Sequence, residues 1–374
     1  MDKFEKKISN NSSFSINYIF FLGSGCSQNE VVNQNPPSNE ATGESNIEDN
    51  ETIEENKNPY ADAIISLKPP FGRIGDVVLV GNDLYMCVSD NTEFAKNIIK
   101  YNLQTKQTEK IFTSEFDDPS VQNLMINDNW LIWTDSTADG LLHRIYVKDL
   151  KTGKIKLIAK LAFKGLTPIS PFLYKDFIAW VEPTRYDGKY FNGKVVLYNL
   201  NNHKTKVVGT IRQLELYNNF VYINDNKILW TDSYDGKGYY KFYDLKTNKI
   251  KTYESKYLYP GYAEFAGNKI YSLNFNNIRD WTSHKFEEYD IKNNTYTNIT
   301  GHITRFRIGK KYILVMDSQS DLELYSMDKL EWIPLEIRVD SIIECNGKLV
   351  ATFDEIDLTT TIYIIDLEKI KSKG

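Results

Sequence analysis

The chain has 374 residues and a formal net charge of −5, and 41% of its residues are hydrophobic and 13% aromatic. This composition is ordinary for a globular protein and is rich in tyrosine and phenylalanine, which favour strands. The negative charge is concentrated in residues 27–59, where eight acidic residues stand against one lysine, so residues 60–374 are nearly neutral and lack the basic patch of a nucleic-acid-binding protein.

The first 26 residues have the pattern of a secretory signal. Lysines lie within the first seven residues, a short apolar stretch follows at 14–22, and small residues come next. Residues 23–27, Gly-Ser-Gly-Cys-Ser, resemble the lipobox of bacterial lipoproteins in a degenerate form, because that family prefers leucine where this chain has Gly23. The resemblance implies that Cys26 is diacylated and becomes the new N-terminus. A plain secretion signal and an uncleaved cytosolic N-terminus stay open as alternatives.

Residues 27–59 are predicted to form a disordered tether. The segment is rich in Asn, Glu, Ser and Pro and has almost no large apolar side chains, so it cannot bury enough surface to offset the entropy of ordering. A flexible chain of about thirty residues has a root-mean-square reach of about 30 Å. Such a tether fits between a lipid anchor and a globular domain, which leaves residues 60–374 as the folded domain.

From residue 60 onwards one phrase recurs: an alternating strand that ends in Tyr/Asp-Leu, then a polar turn, then a second strand. The instances are spaced by a mean of about 44 residues, which is the length of a four-stranded propeller blade. The residues that close the first strand of each instance are Leu103, Leu150, Leu200, Leu245, Ile291, Met327 and Leu367.

Two further strands precede each hairpin. The second of these carries Trp-Thr-Asp-Ser twice, in Trp130–Gly140 and in Ile228–Gly236, and Trp133, Trp180 and Trp230 share one repeat position. Agreement at three equivalent positions favours packing between blades over three separate binding sites. We therefore predict an all-β, seven-bladed β-propeller of four-stranded antiparallel blades, while the short sixth and seventh units leave six or eight blades open.

The two ends of the repeat predict how the ring closes. The seventh unit lacks a good fourth strand, and an orphan strand at 61–67 precedes the first unit. We expect this N-terminal strand to pair beside 362–367 and complete the last blade, because an open ring would leave unpaired strand edges.

The repeat resembles that of TolB-type propellers, in which an I-x-W-x-D-like strand precedes an IY-x-x-DL-like hairpin. The resemblance covers residues 74–370. It implies an extracytoplasmic domain that binds proteins or peptides. A propeller fold by itself fixes no activity.

Carboxylates recur where the second strand of a blade ends, on the face that also carries the connections between blades. These residues are Asp135, Glu182, Asp232 and Asp317, with Asn274 at the equivalent place in the fifth unit. One interpretation is an acidic collar that binds a cation or a cationic ligand. The alternative is turn chemistry, because Asp and Asn side chains bond their own backbone in turns.

The fifth unit has the longest loop of this face, at 276–284, and it contains Arg279 and Trp281. An exposed tryptophan beside an arginine is a common pairing at the centre of interfaces, so these two residues are candidates for contact with a partner or a sugar. The alternative is a tryptophan folded back over its own blade.

No motif predicts a metal, a cofactor or a catalytic nucleophile. The four histidines show no metal-ligand spacing, and the sequence contains neither a G-x-S-x-G elbow nor a P-loop. Cys87 and Cys345 fall on neighbouring blades of the predicted ring, where buried free thiols are favoured over a disulfide.

The sequence therefore predicts three segments: a signal at 1–26, a tether at 27–59 and a propeller at 60–374. We expect a monomeric, extracytoplasmic lipoprotein, anchored to the bacterial cell membrane, that binds a protein, peptide or glycan and no nucleic acid. The alternative is a propeller enzyme, a hydrolase or lyase, that acts on a glycan or peptide through the carboxylates of the loop face.

Overall fold

The computed structural model describes residues 58–89, 94–162, 169–186, 191–278, 280, 284–300, 303–345, 347–355 and 359–370. The predicted signal with Cys26, the tether up to residue 57, Arg279 and Trp281 lie outside these residues. No helix within the described ranges is long and apolar enough to cross a membrane.

The described residues form seven four-stranded antiparallel sheets, as the repeat predicts. The first strand of the chain is β1 (Ile64–Leu67). The first blade has β2 (Ile74–Val80), β3 (Asp83–Val88), β4 (Asn97–Asn102) and β5 (Thr108–Thr113); the second has β6 (Pro119–Ile126), β7 (Trp130–Thr137), β8 (Leu142–Asp149) and β9 (Ile155–Ala162); the third has β10 (Phe172–Tyr174), β11 (Phe177–Tyr186), β12 (Phe191–Asn199) and β13 (Lys204–Leu214).

The remaining blades follow the same order. The fourth has β14 (Tyr222–Asn224), β15 (Lys227–Tyr234), β16 (Lys237–Asp244) and β17 (Ile250–Ser255); the fifth has β18 (Tyr259–Ala266), β19 (Lys269–Phe275), β20 (Lys285–Asp290) and β21 (Thr295–Thr300); the sixth has β22 (Ile303–Ile308), β23 (Tyr312–Asp317), β24 (Asp321–Ser326) and β25 (Glu331–Arg338); the seventh has β26 (Ser341–Cys345), β27 (Lys348–Asp354) and β28 (Thr360–Asp366). Short 3₁₀ helices span Ala61–Ala63 and Leu216–Asn218.

The N-terminal strand closes the ring, which confirms the prediction from the incomplete seventh unit. Strand β1 is the outermost strand of the seventh blade and runs antiparallel to β28, with Ile64 opposite Ile365 and Leu67 opposite Ile362. The strand begins at Ile64 because the preceding three residues form a 3₁₀ turn. The first and last strands that the structure describes, β1 and β28, therefore pair in one sheet.

The tryptophans of the repeat lie between blades, as their shared position predicts. Trp133, Trp180 and Trp230 are all buried. Trp230 of β15 packs so closely on the third blade that a Cβ at Gly209 of β13 would lie 2.4 Å from its ring. These side chains are interior packing and are not presented to a ligand.

The first strands of the seven blades surround the central channel. Each of them contacts the first strand of the next blade, from β2 and β6 round to β26 and back to β2. Several carry a bulge: in β2 and β22 it lies near the first residues, and in β6 and β18 it lies towards the middle of the strand. A bulge re-aims the side chains beside it, and in β2 and β22 it lies at the end of the strand that is close to the loop face.

Candidate functional site

Asp232, one of the four predicted collar carboxylates, is fully buried and forms hydrogen bonds within the protein. Its exposed fraction is 0%. One carboxylate oxygen accepts hydrogen bonds from the backbone N–H groups of Arg212, Gln213 and Ser233, and the other accepts one from Lys241 Nζ at 2.7 Å. The carboxylate thus ties the end of β13 to the fourth blade and faces no solvent.

Asp135 holds the equivalent position of the second blade in a poorer environment. It is also 0% exposed. Its Oδ1 accepts a hydrogen bond from Ser114 Oγ at 2.6 Å, while its Oδ2 is buried without a hydrogen bond and lies 3.9 Å from Arg144 Nη1. Burial raises the pKa of Asp135 to about 6, and the Ser114 bond and the Arg144 charge oppose the rise.

Glu182 and Asp317, the other two predicted carboxylates, have local partners. Glu182 forms an ion pair with Lys194 on the neighbouring strand at 2.7 Å. Asp317 accepts hydrogen bonds from the backbone N–H groups of Gln319 and Asp321, which is the turn bonding considered for it in the sequence. Among the described residues, no hydrogen bond or ion pair joins any of the four carboxylates to another.

A second group of polar and aromatic residues lies at the loop-face opening of the channel. We call this group the channel mouth and define it as Asp76, Asn123, Phe220, Tyr262 and Arg305. Four of them lie in or beside the bulges of the first strands, and Phe220 lies just before β14. Asn123 and Tyr262 have positive φ angles of 59° and 42°, which is a strained conformation for a bulky residue such as tyrosine.

Direct contacts link the channel mouth from the first blade to the fifth. Asp76 Oδ2 accepts hydrogen bonds from the backbone N–H groups of Asn123 and Leu124. Asn123 Nδ2 donates to the carbonyl of Ile169 in the connection to the third blade.

Across the third to fifth blades the linkage continues through backbone and ring contacts. Ser170 forms an isolated parallel bridge with Phe220, and the Phe220 ring lies 4.3 Å from the Tyr262 ring, between centroids.

Arg305 of β22, the fifth residue of the channel mouth, takes no part in these contacts. Within the described parts of the chain, no acceptor lies at hydrogen-bond or ion-pair distance from its guanidinium, although the side chain is half-buried. Burial lowers the pKa of Arg305, and the negative charges of Asp76 and Asp340 act on it only at longer range. The channel mouth thus contains a half-buried cation without a direct partner among the described residues.

The next layer of the channel is internally paired. Glu264 is buried and accepts hydrogen bonds from Arg307 Nη1 at 2.9 Å and from the backbone N–H of Ile308 at 2.7 Å. Burial raises the pKa of Glu264, and the Arg307 charge opposes that rise. Arg307 therefore has a direct carboxylate partner, whereas Arg305, two residues earlier on the same strand, has none among the described residues.

Sequence reasoning missed the channel mouth because its residues belong to no repeated motif. Their positions depend on bulges, which shift the pairing register and leave no fixed spacing in the sequence. A local signal was present: a glycine immediately precedes both Asp76 and Tyr262, and Arg305 and Arg307 alternate on one short strand. Glycine inside a strand marks a bulge.

The residues that the structure describes contain no group of three or more His, Cys, Asp or Glu side chains placed to hold a metal ion. Cys87 and Cys345 are both buried and free, as expected. Burial raises the pKa of both thiols.

No protein-family model and no curated protein sequence matches the chain. Among solved structures, the chain is similar to the β-propeller domain of the Trilobed protease from Pyrococcus furiosus, described as having an open velcro topology, with a TM-score of 0.56 and 13% identity over 79% of this chain and 96% of that one. It is similar to a prolyl endopeptidase with a TM-score of 0.56 and 9% identity over 82% of this chain and 50% of that one. TolB from Acinetobacter baumannii aligns with a TM-score of 0.43 and 13% identity over 78% of this chain and 63% of that one. What this chain shares with these structures is the β-propeller fold.

Proposed function

We propose that the protein is a monomeric ligand-binding module on the outer side of the bacterial cell membrane, held there by a lipid on Cys26, and that it binds its ligand at the channel mouth. The basic and apolar start, the small-small-Cys ending and the polar tether support the anchor. The observation that carries the binding role is the guanidinium of Arg305, which has no direct partner among the residues that the structure describes.

A desolvated charge without a partner is costly, and folds keep such a group where something outside the chain completes it. The guanidinium presents a rigid fork of donors. The two aromatic rings of the mouth, Phe220 beside the fourth blade and Tyr262 on the fifth, next to the blade of Arg305, supply an apolar surface for a side chain or a sugar ring. A protein segment, a peptide or a glycan could each use these two features.

The alternative, an enzyme that acts on a glycan or peptide through the loop-face carboxylates, needs a carboxylate that a substrate can touch. Asp135 and Asp232 are fully buried. Glu182 and Asp317 are the two of the four that retain solvent exposure, and they lie in the third and sixth blades. Binding at the mouth therefore has the stronger support.

The anchor is tested by intact mass and membrane partitioning of the protein from its native host. We expect a chain cleaved before Cys26 that carries a lipid adduct and partitions with membranes. An unmodified chain that retains Met1 would refute the anchor and move the protein to the cytoplasm.

The binding site is tested by photo-crosslinking in cells. Leu216 is 42% exposed, and its carbonyl accepts a hydrogen bond from Tyr262 Oη at 3.4 Å, so a p-benzoylphenylalanine there lies beside the mouth. Ile250, 50% exposed on the outermost strand β17, is the control position. We expect a covalent adduct of defined mass at Leu216 and none at Ile250. Equal labelling at both positions, or none at Leu216, would refute the proposed site.

A further inference from the structure

We infer that the ligand of the channel mouth is amphoteric: its carboxylate binds Arg305, its ammonium binds Asp76, and an aromatic or apolar group packs on Phe220 and Tyr262. An aromatic α-amino acid has this combination of groups. The inference rests on the proposed function and names the ligand class for the same site.

Asp76 is prepared to accept a cation. Its Oδ2 takes the two backbone hydrogen bonds from the second blade, which fix the orientation of the carboxylate. Its Oδ1 accepts no hydrogen bond from the described residues, and the side chain retains partial exposure. One oxygen is therefore structural, and the other is available to a ligand.

Arg305 is prepared to accept a carboxylate. A guanidinium binds a carboxylate through two parallel N–H···O bonds, and such charge-assisted pairs are among the strongest hydrogen bonds in proteins. The described residues supply Arg305 with longer-range negative charge from Asp76 and Asp340 and with no direct pair. A ligand carboxylate would provide the missing partner.

The balance of charge selects against ligands of a single sign. A dianion such as phosphate would approach Arg305 against the repulsion of Asp76 and Asp340, and a simple amine would approach Asp76 against Arg305 and Arg307. A neutral amphoteric ligand pairs with both signs at once. This arrangement favours an amino acid over an inorganic anion or an amine.

The aromatic side of the mouth supplies the third contact. The Phe220 and Tyr262 rings are tilted by 37° to each other, and both side chains are partly exposed. Tyr262 has a left-handed backbone conformation and directly follows Gly261. A Cβ added at Gly261 would lie 2.7 Å from the Tyr217 carbonyl oxygen. The backbone is thus strained at the residue that contributes a ring to the mouth.

The test is calorimetric titration of the full-length protein with L-phenylalanine and three matched probes. Phenethylamine lacks the carboxylate, 3-phenylpropionate lacks the ammonium, and glycine lacks the ring. We expect phenylalanine to bind and each probe to bind about tenfold more weakly or worse. Binding of 3-phenylpropionate or phenethylamine as tight as that of phenylalanine would overturn the inference, and so would the absence of phenylalanine binding.

Variants locate the binding. Arg305→Gln and Asp76→Asn should each weaken phenylalanine binding about tenfold or more. Arg212→Gln is the matched control, because Arg212 is an exposed arginine on β13, the outermost strand of the third blade, where it stacks on Tyr234 and pairs with Asp235. Equal loss in all three variants, or none in the first two, would overturn the assignment. Cooperative thermal unfolding of each variant verifies that it is folded.

The two levels of the proposal fail separately. If phenylalanine does not bind while the crosslink at Leu216 persists, the ligand belongs to another class and the mouth remains the binding site. If both fail, the mouth is not a ligand site and the proposed function falls with the inference.

Discussion

At the scale of single residues, Asp135 and Asp232 show that one repeat position can have two electrostatic environments. Asp232 accepts hydrogen bonds from backbone N–H groups and from Lys241, so its negative charge is compensated. Asp135 accepts one bond from Ser114 and has a buried oxygen without any. The sequence places both in Trp-Thr-Asp-Ser and does not distinguish them, because the difference comes from backbone donors of the preceding blade and from Lys241 on the adjacent strand of the same blade.

Replacing Asp135 with asparagine should stabilise the protein at neutral pH. The folded-state pKa of Asp135 is about 6, above the value of 3.8 for an unburied group. Its ionisation therefore costs stability above pH 6, and the cost fades as the pH falls towards 4. We expect Asp135→Asn to raise the free energy of unfolding by about 1 kcal/mol near pH 7 and by less at lower pH, because the buried amide group near Arg144 offsets part of the gain. Urea unfolding across this pH range measures it.

Asp232→Asn is the matched control and should destabilise the protein. The new amide group would meet the Lys241 ammonium, donor against donor, in a buried site. We expect a loss of about 1–3 kcal/mol. If the two variants shifted the unfolding free energy in the same direction, the contrast between their environments would be wrong.

Arg305 should also lower the free energy of unfolding, because residues that serve binding often reduce the stability of the fold. Arg305→Met removes a half-buried charge and should raise the free energy of unfolding by about 1 kcal/mol. Arg307→Met is the control and should lower it, because Arg307 is bonded to the buried Glu264. Thermal unfolding of the two variants tests this prediction. A lower stability of both variants would show that Arg305 is a structural residue.

At the scale of elements, the hairpins and the strand alternation were predictable from the sequence, and the bulges were not. Alternation fixes which residues face the core, and polar turns fix where strands end. A bulge adds one residue without changing that composition. The strands that carry Asp76, Asn123 and Tyr262 therefore have the sequence pattern of ordinary first strands. The sequence instead predicted a binding site at the polar residues of the loop face.

Close packing of successive blades gives a prediction about Gly238 of β16. A Cβ there would lie 2.2 Å from the Tyr257 carbonyl and 2.4 Å from Pro260 Cδ, so the connection to the fifth blade would have to move. We expect Gly238→Ala to cost about 2 kcal/mol or more in stability. Gly236→Ala, in the preceding turn with φ +74° and open space around it, should cost about 1 kcal/mol, as measured by chemical unfolding. A larger cost at Gly236 would contradict this packing.

At the scale of the whole molecule, a repeat of about 44 residues determined the architecture, because each blade buries its faces only against its neighbours. The closing strand was predictable for the same reason: the count left one strand missing at the end and one spare at the start. The proposed ligand site was not predictable, since Arg305 and Asp76 are far apart in the sequence and come within electrostatic range of each other only when the ring is formed.

Ring closure predicts the effect of two truncations. Removal of residues 1–57 should leave the unfolding midpoint nearly unchanged, because residues 27–57 have almost no large apolar side chains to bury and Asn58 already donates to the Leu335 carbonyl. Removal of residues 1–67 deletes β1 and exposes the edge of β28, so we expect a lower midpoint and aggregation. Identical urea unfolding curves for the two truncations would show that the strand does not hold the ring.

The most direct test of the channel mouth as the ligand site is the yield of the Leu216 photo-crosslink in cells that express Arg305→Gln. Because the guanidinium supplies the ligand's main charged contact, we predict that the yield falls about tenfold or more. The Arg212→Gln protein should retain the yield of the unaltered protein. An undiminished crosslink in Arg305→Gln cells would mean that the ligand does not depend on the unpaired arginine, and the proposed site would have to be abandoned.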